Sequence, residues 1–284
     1  MNEITRRRRS GLTSLSVWLV SLSPALKRWL WRLCYEALAA RYQTPQWAFM
    51  NFGYAETDPS VPQVVLSESD ESNRCCIQLY DHILRPARSR LPGAHVLEVG
   101  CGRGGGSDYV YRTGEPQSVI GVDFSARAAA LCQRSFARNG LSFGQGDAEA
   151  LPFPDASFDI VLNVESSHCY GSMERFIGEV ARVLRPGGYF LWADMRPAEA
   201  REAAGRELTG SGLVRVSEQT ITPNVLLSLD RMTEDRTRMI RSMVPRPFRK
   251  GLQDFAGLSG SRLHEALRTG TLEYLSCALQ KPGA

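Results

Sequence analysis

The run Glu98-Val-Gly-Cys-Gly-Arg-Gly-Gly-Gly follows directly on the apolar stretch that begins at His95, and no other feature constrains the fold as strongly. A short apolar strand that ends in glycines and continues as helix places the loop at the C-terminal edge of a sheet. Backbone without side chains can approach a ligand there. Downstream, strand and helix alternate. The strands read as residues 95–99, 118–123, 141–145, 158–163 and 189–193, with helices running from the glycine loop through Tyr109, from an N-cap at Ser125 to Arg138, and over 173–184. Arg185-Pro-Gly-Gly reads as a sharp turn into the fifth strand. After Pro197 a helix to about Leu208, a strand near 213–218, a helical stretch over 222–268 and a last strand over 272–279 complete the pattern. The fold class is therefore α/β, a doubly wound, mostly parallel sheet covered on both faces. An insertion of this length between two strands exceeds what a connection needs, and two readings of it with Met232, Met239 and Met243 stay open: a helical lid over an apolar ligand, or methionines that are ordinary core.

At 284 residues with 43% hydrophobic and 23% charged content, the chain can bury one full core with appendages. The formal charge of +4 is matched by the four arginines Arg6 to Arg9, which leaves nothing to suggest a nucleic-acid surface. Seven cysteines without paired C-x-x-C spacing, and four histidines without H-x-x-x-H spacing, point to a reduced, cytoplasmic protein with no metal site. Residues 1–45 form a basic, amphipathic segment. Their apolar run is broken by Pro24 and falls short of the roughly 20 residues that span a bilayer. Two readings of this segment stay open: a helix packed on its own domain, or a weak membrane contact.

Read as G-x-G-x-x-G through Gly100, Gly102 and Gly105, with Asp123 about 20 residues on, the loop fits either a dinucleotide or S-adenosylmethionine. Three features favour the latter. Glu98 suits a cationic sulfonium and would repel a pyrophosphate; Asp147 follows the third strand, where it could meet an adenine amine; and the fourth strand leads into Val164-Glu-Ser-Ser-His-Cys-Tyr, aimed at the cofactor's reactive end. In that loop His168 is the candidate base. Glu165 and Asp194, the latter at the end of the fifth strand and able to orient His168, are the further catalytic candidates.

These motifs, with Arg182-Val-Leu-Arg-Pro-Gly-Gly, resemble class I S-adenosylmethionine methyltransferases over residues 94–281. Upstream, Asn51-Phe-Gly-Tyr-Ala, Glu71-Ser-Asn-Arg and Leu79-Tyr80 extend the likeness to phthiotriol-type and fatty-acid O-methyltransferases and polyketide-tailoring enzymes. The resemblance implies a seven-stranded sheet of order 3-2-1-4-5-7-6. It implies that Glu98, Gly100, Cys101, Gly102 and Gly104 line the methionine and ribose part of the cofactor, that Asp123 with Phe124 takes the ribose, and that Asp147 and Ala148 flank adenine. Asn163 and Val164 would lie at the methionine end, under the cover of Tyr80. The organisation so implied is a helical cap over 46–93, a core over 94–221 closed by 269–284, and a substrate lid over 222–268.

The expected activity is methyl transfer from S-adenosylmethionine, leaving S-adenosylhomocysteine, to a hydroxyl or carboxyl of a small apolar metabolite. A polyketide or lipid of secondary metabolism or antibiotic biosynthesis is the leading acceptor. Two rivals are a cyclase of the same fold that binds the cofactor without methylating, and a nicotinamide-dependent reductase.

Overall fold

The computed structural model describes residues 47–283, and the segment expected over 1–45 lies outside them. Seven strands form one sheet: β1 (His95–Val99), β2 (Ser118–Asp123), β3 (Leu141–Gln145), β4 (Phe158–Val164), β5 (Leu184–Pro197), β6 (Val214–Thr220) and β7 (Leu272–Gln280). Their order is β3-β2-β1-β4-β5-β7-β6. The first five run parallel, while β7 lies antiparallel between β5 and β6.

Alternation along the central strands divides their side chains between two cores. Val96, Ile160 and Leu191 face one side, and Leu97, Val161 and Phe190 face the other. The first core is covered by α1 (Arg74–Leu84), α2 (Gly105–Gly114) and the start of α6 (Thr222–Met243). Against the second lies α4 (Met173–Val183), which follows α3 (Ala126–Phe136) and precedes α5 (Arg201–Thr209). Helix α4 shows why such segments fold: Phe176, Ile177, Val180 and Val183 repeat on one face and are buried, and the Ser172 hydroxyl caps its start by accepting from Arg175 N at 3.2 Å. Ser125 caps α3 in the same way through Ala128 N.

Several boundaries depart from the sequence pattern. The helix after the glycine loop runs on to Gly114, since its further turns carry the buried Val110 and Gly114. Strand β5 reaches from Leu184 to Pro197 because Leu184 pairs with Phe158 of β4 and β7 pairs with it from Tyr189 through Pro197. The Arg185-Pro-Gly-Gly turn is thereby absorbed into the strand. Residues 47–66 hold no regular element and form an irregular strap, followed by two 3-10 turns that flank α1. The stretch over 222–268 is three helices: α6, α7 (Arg246–Phe255) and α8 (Arg262–Arg268). Pro245 and the left-handed Gly257 and Gly260 stand at the breaks.

Candidate active site

A cavity of about 330 Å³ opens at the C-terminal ends of β1, β2 and β4, a volume within the usual range of small-molecule sites. Its floor is the glycine loop. Gly100 has φ +78°, and a Cβ there would stand 2.3 Å from Ser166 Oγ, so only glycine permits this turn against the β4 loop. Gly106, one turn on, leaves room for the Tyr80 ring, which a Cβ would meet at 2.0 Å.

Eleven of the residues expected at the site line this cavity: Tyr80, Gly100, Cys101, Gly102, Asp123, Phe124, Asp147, Ala148, Val164, Glu165 and His168. The Asp123 carboxylate is held by two backbone donors, Gly102 N at 2.9 Å and Ser125 N at 2.9 Å. Asp147 is fixed by Glu149 N at 3.0 Å.

Four other expected residues lie behind the wall. Glu98 is fully buried; Tyr80 OH donates to it at 2.6 Å and Ser107 Oγ donates to its other oxygen. Tyr80 therefore stands where Glu98 was expected to face the cofactor, and burial pushes the Glu98 pKa up to about 7. Gly104 is buried at the start of α2 and serves the turn. Asn163 is also sealed off, its Nδ2 bonded to Val99 O and its Oδ1 without a partner among the described residues. Asp194 is the fourth, buried beneath His168.

The β4 loop carries the reactive constellation. His168 Nδ1 lies 2.8 Å from Asp194 Oδ1, while His168 N and Ser167 Oγ donate to Oδ2 at 2.9 and 2.6 Å. Met195 N and the Arg196 guanidinium complete the shell around the carboxylate. Burial by itself would raise the Asp194 pKa, but His168 and Arg196 hold it well below the ordinary carboxylate range. Burial likewise opposes charge on His168, and the Asp194 carboxylate more than offsets it, so the imidazole pKa is raised well above 6.5. Glu165, with φ +48°, presents its carboxylate to the cavity while Oε1 accepts from Tyr274 OH at 2.6 Å and Phe52 N at 2.7 Å. Burial raises its pKa to about 7.

The remaining walls come from residues that the sequence reading did not place at the site. Phe49, Asn51 and Phe52 of the strap close one side, tied down by Gly105 N to Ala48 O at 3.1 Å and Ser228 Oγ to Phe52 O at 2.7 Å. The Asn51-Phe-Gly-Tyr motif was the signal that could have found them. Among the described side chains of the helical insertion, Phe255 and Leu263 reach the cavity, with Met195 of β5 beside them. For Met232 the core reading fits. Met232 packs against the main core near Cys76, and neither it nor Met239 lines the cavity.

The wall fits S-adenosylmethionine and not a dinucleotide. It carries the carboxylates of Asp123, Asp147, Glu149 and Glu165, and its one arginine, Arg103, donates to Trp47 O and stacks over that ring. A pyrophosphate would face repulsion here, whereas a sulfonium is compatible. Among the described residues no group of three or more His, Cys, Asp or Glu is arranged to hold a metal ion, and no helix is long and apolar enough to cross a membrane.

A seven-stranded sheet of this order, with a glycine loop and an acidic cofactor wall at its C-terminal edge, defines a class I S-adenosylmethionine-dependent methyltransferase. Residues 97–192 match a family model described as a methyltransferase domain. The chain is 39% identical to a fatty-acid O-methyltransferase of Mycolicibacterium smegmatis, over 88% of this chain and 89% of that protein. It is 38% identical to a phthiotriol/phenolphthiotriol dimycocerosates methyltransferase of Mycobacterium tuberculosis, over 86% and 89% respectively. The chain belongs to this methyltransferase family. Among solved structures, the 4+2 cyclase SpnF superposes with a TM-score of 0.67 at 20% identity, covering 89% of this chain and 95% of that one. Geranyl diphosphate C-methyltransferase from Streptomyces coelicolor, in complex with Mg2+, geranyl diphosphate and S-adenosyl-L-homocysteine, does so with a TM-score of 0.60 at 19% identity, covering 87% and 98%. These two likenesses concern the fold alone.

Proposed function

We propose that this methyltransferase acts on an oxygen of an apolar, lipid-type acceptor, with His168 as general base and Asp194 as the group that orients it. The observation that carries the proposal is the His168–Asp194 pair, joined at 2.8 Å, in the wall of a cavity whose acceptor side is lined by Phe52, Val164, Met195, Phe255 and Leu263. A fatty acid and a phthiotriol are named in the relatives' own descriptions. Both are long and apolar, as is a polyketide-derived alcohol.

S-adenosylmethionine, when bound, supplies a methyl group activated by a sulfonium. Asp123, Asp147 and the glycine loop would hold its adenosine, and Tyr80 would cover it. With Nδ1 turned to the Asp194 carboxylate, the His168 ring is fixed in the tautomer whose Nε2 takes the acceptor proton. His168 Nε2 would hold the proton taken from the acceptor oxygen, and the imidazolium so formed would be stabilised by Asp194. The site thus works by position and proton removal, without a covalent enzyme intermediate.

The test is incubation with methyl-labelled S-adenosylmethionine and a panel of long-chain fatty acids and long-chain alcohols, read by mass. Gain of one methyl on an alcohol, abolished in His168→Ala, is the expected outcome. A carboxylic acid is already ionised, so its methylation would be nearly insensitive to the same substitution and would sink the base assignment while leaving O-methylation standing. A product of unchanged mass but altered connectivity would replace the transferase reading by a cyclase.

A further inference from the structure

Charge is distributed unevenly along this chain. Residues 222–268 carry nine Lys or Arg against five Asp or Glu, while the rest of the described chain carries 17 against 23. The helical insertion is thus net +4 on a body of net −6. Between residues 236 and 250 there are six Arg or Lys and no acid.

Three of those six are used internally. Arg236 donates to Asn51 O at 2.6 Å and to Ala256 O at 3.0 Å, tying strap to insertion. Arg238 pairs with Glu234 and Asp235, each at 3.1 Å. Arg249 donates to Val244 O and Arg241 O at the C-terminal end of α6, where a cation also meets the negative end of the helix dipole. The other three, Arg241, Arg246 and Lys250, are exposed and have no hydrogen-bonded or ion-paired side chain among the described residues.

These three lie at the α6–α7 junction, above a small apolar cluster of Ile240, Val244 and Leu258 that is separate from both main cores. Helix α7 runs from this junction to Phe255 in the cavity wall. At about 1.5 Å per residue, Lys250 stands about 8 Å and Arg246 about 14 Å along the helix from Phe255. At 3.6 residues per turn Arg246 and Lys250 project about 180° and about 140° away from Phe255, so an exposed basic face lies on the outer side of the helix whose inner side closes the cavity, while the rest of the described chain is acidic.

We propose that the α6–α7 face, through Arg241, Arg246 and Lys250, docks on an anionic lipid bilayer, from which an apolar acceptor enters the cavity beside Phe255. The delivery step rests on the apolar-acceptor reading above; the docking itself does not. Among the described residues an anionic surface attracts the +4 insertion and repels the −6 remainder, so this asymmetry turns the α6–α7 face toward the lipid. Three cations without fixed partners suit a surface of mobile headgroups rather than a shaped protein partner.

The test is co-sedimentation of the full-length protein with vesicles of phosphatidylcholine alone or mixed with phosphatidylglycerol. The wild type is expected to bind only the mixed vesicles and to be released by high salt. Each cation near such a surface is worth about fivefold in partitioning, so Arg241→Gln, Arg246→Gln and Lys250→Gln together should weaken binding on the order of a hundredfold. S-adenosylhomocysteine affinity should stay unchanged, which also reports that the variant is folded. If the triple variant does not fold, each single substitution should still cost about fivefold. Three outcomes overturn the proposal: no binding by the wild type, equal binding to both vesicle types, or variants that bind as the wild type does. Capture of the wild type by a purified acyl carrier protein and not by vesicles would assign the face to an acidic protein and overturn it equally. No acceptor is used, so failure here is distinguishable from failure of the acceptor reading.

Discussion

The cofactor side and the acceptor side of the cavity are built on different principles. Around the glycine loop, Asp123 and Asp147, the wall is made by strand ends and the turns that follow them, and its polar groups are fixed by backbone donors a few to about twenty positions away. Opposite, the wall is assembled from the strap, the β4 loop, β5 and the helical insertion, elements separated by more than 200 residues between Phe49 and Leu263. Even the insertion is not uniform. Val225 and Leu229 of α6 belong to the main core, whereas Ile240, Val244 and Leu258 pack in their own small cluster. On the proposed reading, a locally specified half would bind the constant reagent and an assembled half would meet the variable one. Among the described residues the stretch from about 240 to 258 packs in its own cluster and retains the independence that a moving lid needs, whereas Leu267 is anchored in the main core.

The largest expected effect falls on the acceptor side. His168→Ala should lower kcat on an alcohol acceptor by about 10²–10⁴-fold, with cofactor affinity unchanged by calorimetry. In the wild type, kcat should climb as pH rises, because the imidazole must lose its proton first, and level off only above the raised His168 pKa. Asp194→Asn should move that limb to lower pH while reducing the plateau. A flat pH profile from 6 to 9 in the wild type would separate His168 from proton removal, and Glu165 would become the next residue to test.

Asp123→Ala is the mirror experiment on the cofactor side. Loss of the charged acceptor should weaken S-adenosylmethionine binding by about 1–3 kcal/mol, with the acceptor KM little changed. Equal weakening of both ligands would dissolve the distinction between the two halves. Phe255→Ala should act in the opposite sense, raising the acceptor KM by about tenfold through lost apolar contact, with cofactor affinity intact. Hydrogen exchange sharpens the same division: acceptor should slow exchange around Phe255 and Leu263 and leave the Val225–Leu229 turn of α6 as it was.

The smallest effect concerns stability. Glu98, raised to about 7 by burial, holds its proton in the folded state through a pH range where the unfolded chain has lost it. Its contribution is therefore fully present below about pH 4.5 and is lost as pH rises through 7. Glu98→Gln should flatten the fall in Tm between pH 5 and 8. An unchanged slope would mean that Glu98 is ionised throughout.

The central strands and the glycine loop were legible because their signals are local, whereas the order of the strands came from the family resemblance. Apolar runs of five to seven residues, a glycine cluster and Ser125 before a helix each depend on neighbours in the chain. The ends of the elements were less legible. β5 extends past Ala193 only because β7, some 80 residues later, offers a partner for every one of its last residues. At the site, identities were read more reliably than positions. Glu98 was recognised as a carboxylate of the loop, yet its burial behind Tyr80 depends on the packing of α1 over Gly106.

The sequence by itself determined that this chain makes a doubly wound sheet with a glycine loop at a strand end, since periodicity and loop chemistry act over a handful of residues. Tertiary structure alone decided which groups are charged and what the acceptor meets. The pairing of His168 with Asp194 spans 26 positions, and Tyr274 reaches Glu165 across 109. The raised pKa values of Glu98 and Glu165 arise from burial. A carboxylate's neighbours in space, and the water they exclude, set its protonation. Those neighbours exist only once distant segments have packed together.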